Sequence, residues 1–381
     1  MKLTNLNIVV DENIPSVDRL FGHFGSIRKL PGRTIQSIDL QDADLLLVRS
    51  VTKVNSQLIK DAPVGFVGTA TIGTDHIDKS WLNEKGIGFT SAPGCNADAV
   101  AEYVISTLLM VAAEQSFELQ DRVVGIVGVG NVGRRLQQRL EGLGVKLLLN
   151  DPPRAETGEQ DFVALECLLE QADIICLHTP LTGDGDHPSY HLLNANNLPV
   201  IKPNSILLNA GRGPVIDNVA LLNWHRQRPD VTLLLDVWEE EPTVDESLAQ
   251  QVRIGTPHIA GYSLDGKIRG TWMLYTAFCQ HLGVKPEIDL ADCLCDAGNE
   301  LQIMLDGSEN LTDIVHRVYQ PEADHSRFMD SLMDKKAQPK NFDLLRKQYP
   351  VRREFAAAQL QGVKPDKLLA DQLQAVGFLL E

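Results

Sequence analysis

The stretch VVGIVGVGNVGRRLQQRL, residues 123–140, constrains the fold of this chain more than any other. It joins an apolar run of β type to an amphipathic helical pattern through Gly128-Val129-Gly130-Asn131-Val132-Gly133. The first glycine permits a tight turn, the second lets a pyrophosphate approach the backbone, and the third lets the helix pack against the strand. The helix N-terminus then offers unpaired N–H groups to the phosphates. The next apolar run, LLLN, ends at Asp151. A carboxylate there accepts hydrogen bonds from the adenosine ribose and repels a 2′-phosphate, which favours NAD over NADP. The competing reading is a turn aspartate ahead of Pro152 and Pro153.

Four further runs follow the same plan: DIICLHTP, SILLNAGRG, TLLLDVWEEEP and VRIGTPHIAG. Before them, Asn7–Val10, Asp44–Val48, Val64–Val67 and Ile87–Thr90 read as a separate set of short strands. Strands alternating with helical patterns predict parallel sheets covered on both faces. A length of 381 residues exceeds one ordinary core. The expected architecture is therefore α/β, with two doubly wound parallel-sheet domains (Rossmann-like or flavodoxin-like) around a cleft. Residues 1–95 with 260–283 form the substrate-binding domain, and 96–259 the dinucleotide domain. Between the two sets of strands, AVAEYVISTLLMVAAE is apolar around most of a helix, which predicts burial between domains or subunits. After Gly283 the character changes, with helices expected at Leu311–Tyr319 and Asp366–Val376. Residues 284–381 read as a third, C-terminal domain whose default role is docking or dimerisation.

A formal net charge of −16 sets the chain against nucleic acid and anionic membranes. An anionic substrate is compatible only if local Arg and Lys side chains overcome that field. The start, MKLTNLNIVVDENIP, reads as a first strand rather than a signal peptide, and the longest apolar segment is interrupted by Asp98 and Glu102. The six cysteines read as reduced, buried thiols of a cytoplasmic protein. Cys293 and Cys295 lack the second pair that a zinc site needs, so no metal is expected.

Three strand ends hold the ingredients of a dehydrogenation: Arg212 in NAGRG, Glu241 in DVWEEEP and His258 in TPHIAG. A neutral His258 can take a hydroxyl proton. Glu241 can hold its other ring nitrogen and fix the tautomer, although Glu239 and Glu240 compete for that place. Arg212 offers a planar fork that matches a carboxylate. In the first third, VRSVTKV and FVGTATIGTDHID put Arg49, Ser50, Lys53, Thr69 and Thr71 on loops expected to face the same cleft. There Arg49 or Lys53 could neutralise a phosphate, while Ser50 and Thr71 could equally cap helices.

These motifs in combination resemble the D-isomer-specific 2-hydroxyacid dehydrogenase family over roughly residues 44–270. The resemblance implies a catalytic set of Arg212, Glu241 and His258, the glutamate being the one before proline. It also implies that Asp236 approaches the nicotinamide and that Thr179, Ala210, Gly211, Arg212 and Gly261 line the dinucleotide. VRSVTKVN, SAPGCNADAV, NDPPRA and GTPHIAGYSLDGK are similar to one branch of the family. Its members act on a phosphorylated small-molecule 2-hydroxy acid and carry a C-terminal dimerisation domain. That likeness implies Ser50, Thr71 and Tyr262 as substrate residues and a homodimer; the cation that meets the phosphate is left among Arg49, Lys53 and a partner-chain residue such as Arg352 or Arg353. A sister dehydrogenase acting on 3-phosphoglycerate or glyoxylate, or an NAD-sensing binding protein, remain as alternative readings of the same motifs.

Overall fold

The computed structural model describes residues 5–159, 161–298 and 301–380. The chain divides into two compact units, Met1–Asn96 with Ser263–Asn299 and Ala97–Tyr262 with Glu300–Glu381.

The first unit is built on a five-stranded parallel sheet of β1 (Leu6–Asp11), β2 (Gly25–Leu30), β3 (Leu45–Val48), β4 (Phe66–Thr69) and β5 (Gly88–Ser91), in the order β2-β1-β3-β4-β5. β3 and β4 are buried along their whole length, as expected for strands covered by helices on both faces. β2 was not anticipated from the sequence. It is an edge strand whose residues, GSIRKL, include charges and form no apolar run. Helix Leu264–Leu282 returns to this unit, capped at its start by the Ser263 hydroxyl and stopped by Gly283 at φ 72°. Its Leu274, Tyr275 and Phe278 pack with Phe21, Phe24 and Phe66.

The second unit holds a six-stranded parallel sheet: β6 (Val123–Val127), β7 (Lys146–Asn150), β8 (Ile174–Leu177), β9 (Ile206–Asn209), β10 (Thr232–Leu235) and β11 (Ile254–Gly255). Their order is β11-β10-β9-β8-β6-β7, and a single parallel bridge from Leu149 to Phe162 lies beyond β7. Counting that bridge, the order is that of a dinucleotide-binding sheet, with the crossover between β6 and β8. All six apolar runs anticipated here became strands; each is short and bounded by polar or glycine-rich residues, and all but β7 are largely buried.

Helix Ala97–Gln115 is buried around nearly its whole circumference. Its cover comes from within its own unit: β6 and helix Asn131–Gly142 on one side, and Leu311, Ile314, Tyr319 and Phe355 of the C-terminal segment on another. The segment after residue 283, expected as one separate domain, is instead divided. Helix Leu290–Cys295 stays with the first sheet through Cys293. Residues 301–380 pack onto the second unit, around a parallel pair of β12 (Leu301–Leu305) and β13 (Ala358–Gly362). Helices Leu311–Val318 and Lys367–Val376 match the anticipated ones, the latter capped by Asp366. Helices Pro321–Leu332 and Gln338–Lys347 were not anticipated; their mixed charge hides the apolar stripe. All six cysteines are free, but Cys295 is exposed and Cys167 half-buried, so only four fit the expectation of buried thiols.

A buried polar knot fastens the C-terminal segment. Arg139, on the helix after the glycine turn, bonds Asp98, Glu102 and the Val376 carbonyl. Glu102 also accepts the Phe355 N–H at 3.0 Å. Burial pushes the Glu102 carboxyl up to about 8 against the pull of Arg139. Removing one partner from such a knot costs about 3–5 kcal/mol. Arg139→Met should lose stability of that order in urea unfolding. Glu102 binds its proton more tightly folded than unfolded, so its contribution falls as pH rises from the unfolded value through the folded one. Without Arg139 the folded value climbs further, and the deficit against the parent protein should widen above about pH 8.

Candidate active site

The turn after β6 has the shape that a dinucleotide requires. Gly128 sits at φ 86°, and a Cβ there would lie 2.7 Å from the Thr179 backbone nitrogen. A Cβ on Gly133 would lie 2.1 Å from the Gly128 carbonyl oxygen, so the helix packs on the turn at a distance only glycine allows. At Gly130, by contrast, a Cβ would meet nothing within 4 Å. The side of the turn that a pyrophosphate must approach is therefore open, and the residues present fit the group. Asn131 and Val132 open the helix, Val132 against the core.

Asp151 accepts the Val129 N–H at 2.8 Å and caps helix Pro152–Glu156 through Arg154 N–H at 3.3 Å. The capping role is thus real, and it fixes the carboxylate against the glycine turn. Past β8, the Thr179 hydroxyl and both ring nitrogens of His178 are buried without a hydrogen-bond partner among the described residues. Burial pushes the His178 imidazole down to about 4, so it is neutral. Gly211 presses on the same segment, its Cβ position lying 3.2 Å from the Leu177 carbonyl.

The ends of β9, β10 and β11 are tied together through the backbone. Asn209 accepts the Gly211 N–H and donates to the Arg212 carbonyl, both at 3.0 Å, which shapes the loop that carries the guanidinium. The next residue, Gly213, lies so near Trp238 that a Cβ would be 1.9 Å from its carbonyl oxygen. The Trp238 N–H donates to Glu241 Oε1 at 2.9 Å. Glu241 Oε2 is 2.8 Å from His258 Nδ1. Burial raises the Glu241 carboxyl, but His258, the Trp238 N–H and Arg346 together hold it below the ordinary carboxylate range. An ionised Glu241 can only accept, so His258 Nδ1 carries a proton, and in the neutral ring Nε2 then presents the lone pair. Glu239 is engaged elsewhere, at 2.5 Å from His191 Nε2, which leaves Glu241 as the imidazole's partner.

Asp236 holds the loop after β11. It accepts from the Thr256 hydroxyl at 2.6 Å and from the N–H groups of Ile259 and Ala260 at 2.8 and 3.0 Å. Its carbonyl takes the His258 N–H at 2.7 Å, and His258 itself adopts φ 57°. Burial pushes the Asp236 carboxyl up, with His258 and the loop donors opposing. Thr256, which links Asp236 to the Tyr103 hydroxyl, was not singled out in the sequence.

In the first unit, Thr71 is held by Thr69 at 2.8 Å and donates to the Gly73 carbonyl at 2.9 Å. Ser50 is exposed and Arg49 half-buried. Neither Ser50 nor Thr71 caps a helix; Asn55 and Asp78 do that. Lys267, which the sequence did not flag, lies near Arg49, and burial together with that neighbour pushes its amine down to about 8. In the second unit, Tyr262 follows the His258 loop. Its hydroxyl accepts from Arg346 Nε at 3.1 Å, and its ring meets Tyr349 edge-on. Arg352 is buried with its guanidinium on the Ala99 and Ala260 carbonyls and over the Tyr319 ring.

The three glycines separate stability from binding. Gly133→Ala should lower the unfolding midpoint, because its Cβ has no room. Gly130→Ala should leave unfolding unchanged yet weaken dinucleotide binding in titration calorimetry. Unchanged affinity in the second variant would remove the open side of the turn from the binding site.

The comparisons agree with this geometry. The model of the D-isomer specific 2-hydroxyacid dehydrogenase NAD binding domain matches residues 108–260, and that of a domain of unknown function matches residues 299–377. The erythronate-4-phosphate dehydrogenase of Pseudomonas entomophila is 48% identical over 377 residues, covering 97% of this chain and 98% of that protein. The one from Proteus mirabilis is 47% identical over 382 residues, covering 98% and 99%. Among solved structures, 3-phosphoglycerate dehydrogenase of Entamoeba histolytica shares the fold at a TM-score of 0.63 and 24% identity, over 75% of this chain and 99% of that one. D-lactate dehydrogenase of Aquifex aeolicus does so at 0.60 and 22%, over 73% and 95%. By its glycine turn, its paired imidazole and carboxylate, and a likeness that runs through the C-terminal segment, the chain belongs to the erythronate-4-phosphate dehydrogenase family of D-isomer specific 2-hydroxyacid dehydrogenases.

Proposed function

We propose that this chain oxidises 4-phospho-D-erythronate at C2 with NAD, giving 2-oxo-3-hydroxy-4-phosphobutanoate, a step of the pyridoxal 5′-phosphate route. The observation that carries this reading is the 2.8 Å contact between His258 Nδ1 and an ionised Glu241. It leaves Nε2 as the base for the substrate hydroxyl. NAD, when bound at Gly128–Gly133, Asp151, Thr179, Ala210, Gly211 and Gly261, supplies the hydride acceptor. The C2 hydroxyl proton goes to His258 Nε2, the C2 hydrogen leaves with its electron pair, and C2 becomes a carbonyl. Glu241 stabilises the imidazolium so formed, and Asp236 keeps the loop from moving as it forms. Arg212 takes the substrate carboxylate, whose charge it matches bidentately. Ser50, Thr71, Tyr262 and Arg49 complete the substrate contacts.

We further propose a cytoplasmic homodimer joined through the C-terminal segment. Support comes from large apolar side chains left on its surface: Met304 is 64% exposed, Met333 85%, Leu368 69% and Leu379 69%. No helix among the described residues is long and apolar enough to cross a membrane.

His258→Ala should lower turnover on the order of 10²–10⁴-fold, the usual size of a general-base contribution, with NAD affinity nearly unchanged. Stopped-flow turnover and calorimetric titration of NAD test the two halves, and full activity in the variant would remove His258 from the chemistry. A substrate panel tests the acid. Phosphoerythronate should be preferred, and preference for 3-phosphoglycerate or glyoxylate would overturn the choice.

A further inference from the structure

We propose that Arg346, contributed by the C-terminal helix Gln338–Lys347, is the guanidinium that recognises the phosphate of the substrate. This inference rests on the reading above, that the substrate is a phosphorylated 2-hydroxy acid.

Arg346 is half-buried and sits on Tyr262, the residue that follows the His258 loop. Its Nε donates to the Tyr262 hydroxyl at 3.1 Å, and its charge lies 5.6 Å from the centre of that ring. The Phe342 ring lies 5.9 Å away on its own helix. The charges of Glu241 and Asp343 act on it, with no ion pair to it within 4.0 Å among the described residues. One N–H of the fork is thus committed to a neutral hydroxyl, and the two terminal nitrogens remain as donors. Tyr262, Glu241 and Asp343 keep the guanidinium charged against burial, and an anion at its terminal nitrogens would complete it. Arg346 and Glu241 lie close enough for their charges to act on each other, which places the guanidinium in the neighbourhood of the catalytic imidazole.

Arg352, a second guanidinium of this segment, is already committed. It is buried on two backbone carbonyls, where it shapes the chain rather than meeting a ligand. Arg212 is assigned to the carboxylate at the opposite end of the same acid. A chain of net charge −16 needs a local cation for a dianionic phosphate, and a guanidinium fork suits its geometry better than an ammonium. The C-terminal segment, which matches a domain of unknown function, would then supply specificity to the dehydrogenase unit.

The test compares phosphorylated and dephosphorylated erythronate as substrates for the parent enzyme, Arg346→Gln and Arg346→Lys. Removing a paired, desolvated charge should cut kcat/KM for the phosphorylated acid on the order of 10²-fold, mostly through KM. The slow oxidation of the dephosphorylated acid should fall far less, so the ratio between the two collapses. Arg346→Lys should retain part of that ratio. It carries the test alone should the glutamine variant fail to fold. Inorganic phosphate should raise the unfolding temperature of the parent and not that of Arg346→Gln. Equal losses on both acids would mark Arg346 as structural and overturn the proposal. So would an unchanged ratio, or a ratio that collapses in Arg49→Gln while surviving in Arg346→Gln. If the parent enzyme itself oxidises no phosphorylated 2-hydroxy acid, the functional reading fails, and the phosphate-protection experiment still reports on Arg346.

Discussion

The site depends on a single buried carboxylate. Asp236 gathers one hydroxyl and two backbone N–H groups from the loop after β11, and its own carbonyl takes a third N–H, from His258. Those bonds hold His258 in a left-handed conformation that a non-glycine residue adopts only when its surroundings compel it. With the backbone fixed, the imidazole has one place to go, against Glu241. The strand ends are linked further by Trp238, which backs the Arg212 loop with its carbonyl and donates its N–H to Glu241. Side chains from distant parts of the chain are thus aligned by backbone contacts, and each functional group inherits its position from a strand.

This explains what sequence reasoning could reach. The glycine turn was readable because each glycine answers a separate steric demand. The Glu241–His258 pair was readable because strand ends of a parallel sheet point one way. Glu241 could be told from Glu239 and Glu240 only through family likeness, whereas in the structure Glu239 turns to His191. Arg346 was out of reach. It lies on a helix with mixed charges and no motif, and nothing in the local pattern says that this helix packs beside Tyr262. The edge strand β2 escaped for a related reason, since a charged, half-exposed strand leaves no apolar run to read.

The C-terminal segment carries the main revision. Composition suggested an independent module, but residues 301–380 complete the core around helix Ala97–Gln115, bring Arg352 onto the Ala99 carbonyl, and meet Arg139 and Glu102 through the Val376 carbonyl and the Phe355 N–H. Its Val376 carbonyl accepts from Arg139 of the glycine-turn helix, and its Arg352 donates to the Ala260 carbonyl. A helix apolar on all sides signals burial on all sides, and here the same chain provides the cover.

The most direct measurement of the central claim is the tautomer of His258, read by nitrogen NMR on histidine-labelled protein and assigned by loss of the signal in His258→Gln. An imidazole held by an ionised Glu241 must carry its proton on Nδ1 at neutral pH, leaving Nε2 bare in the NAD complex. A neutral ring with its proton on Nε2 would contradict the account, because the nitrogen meant to accept the substrate proton would already hold one.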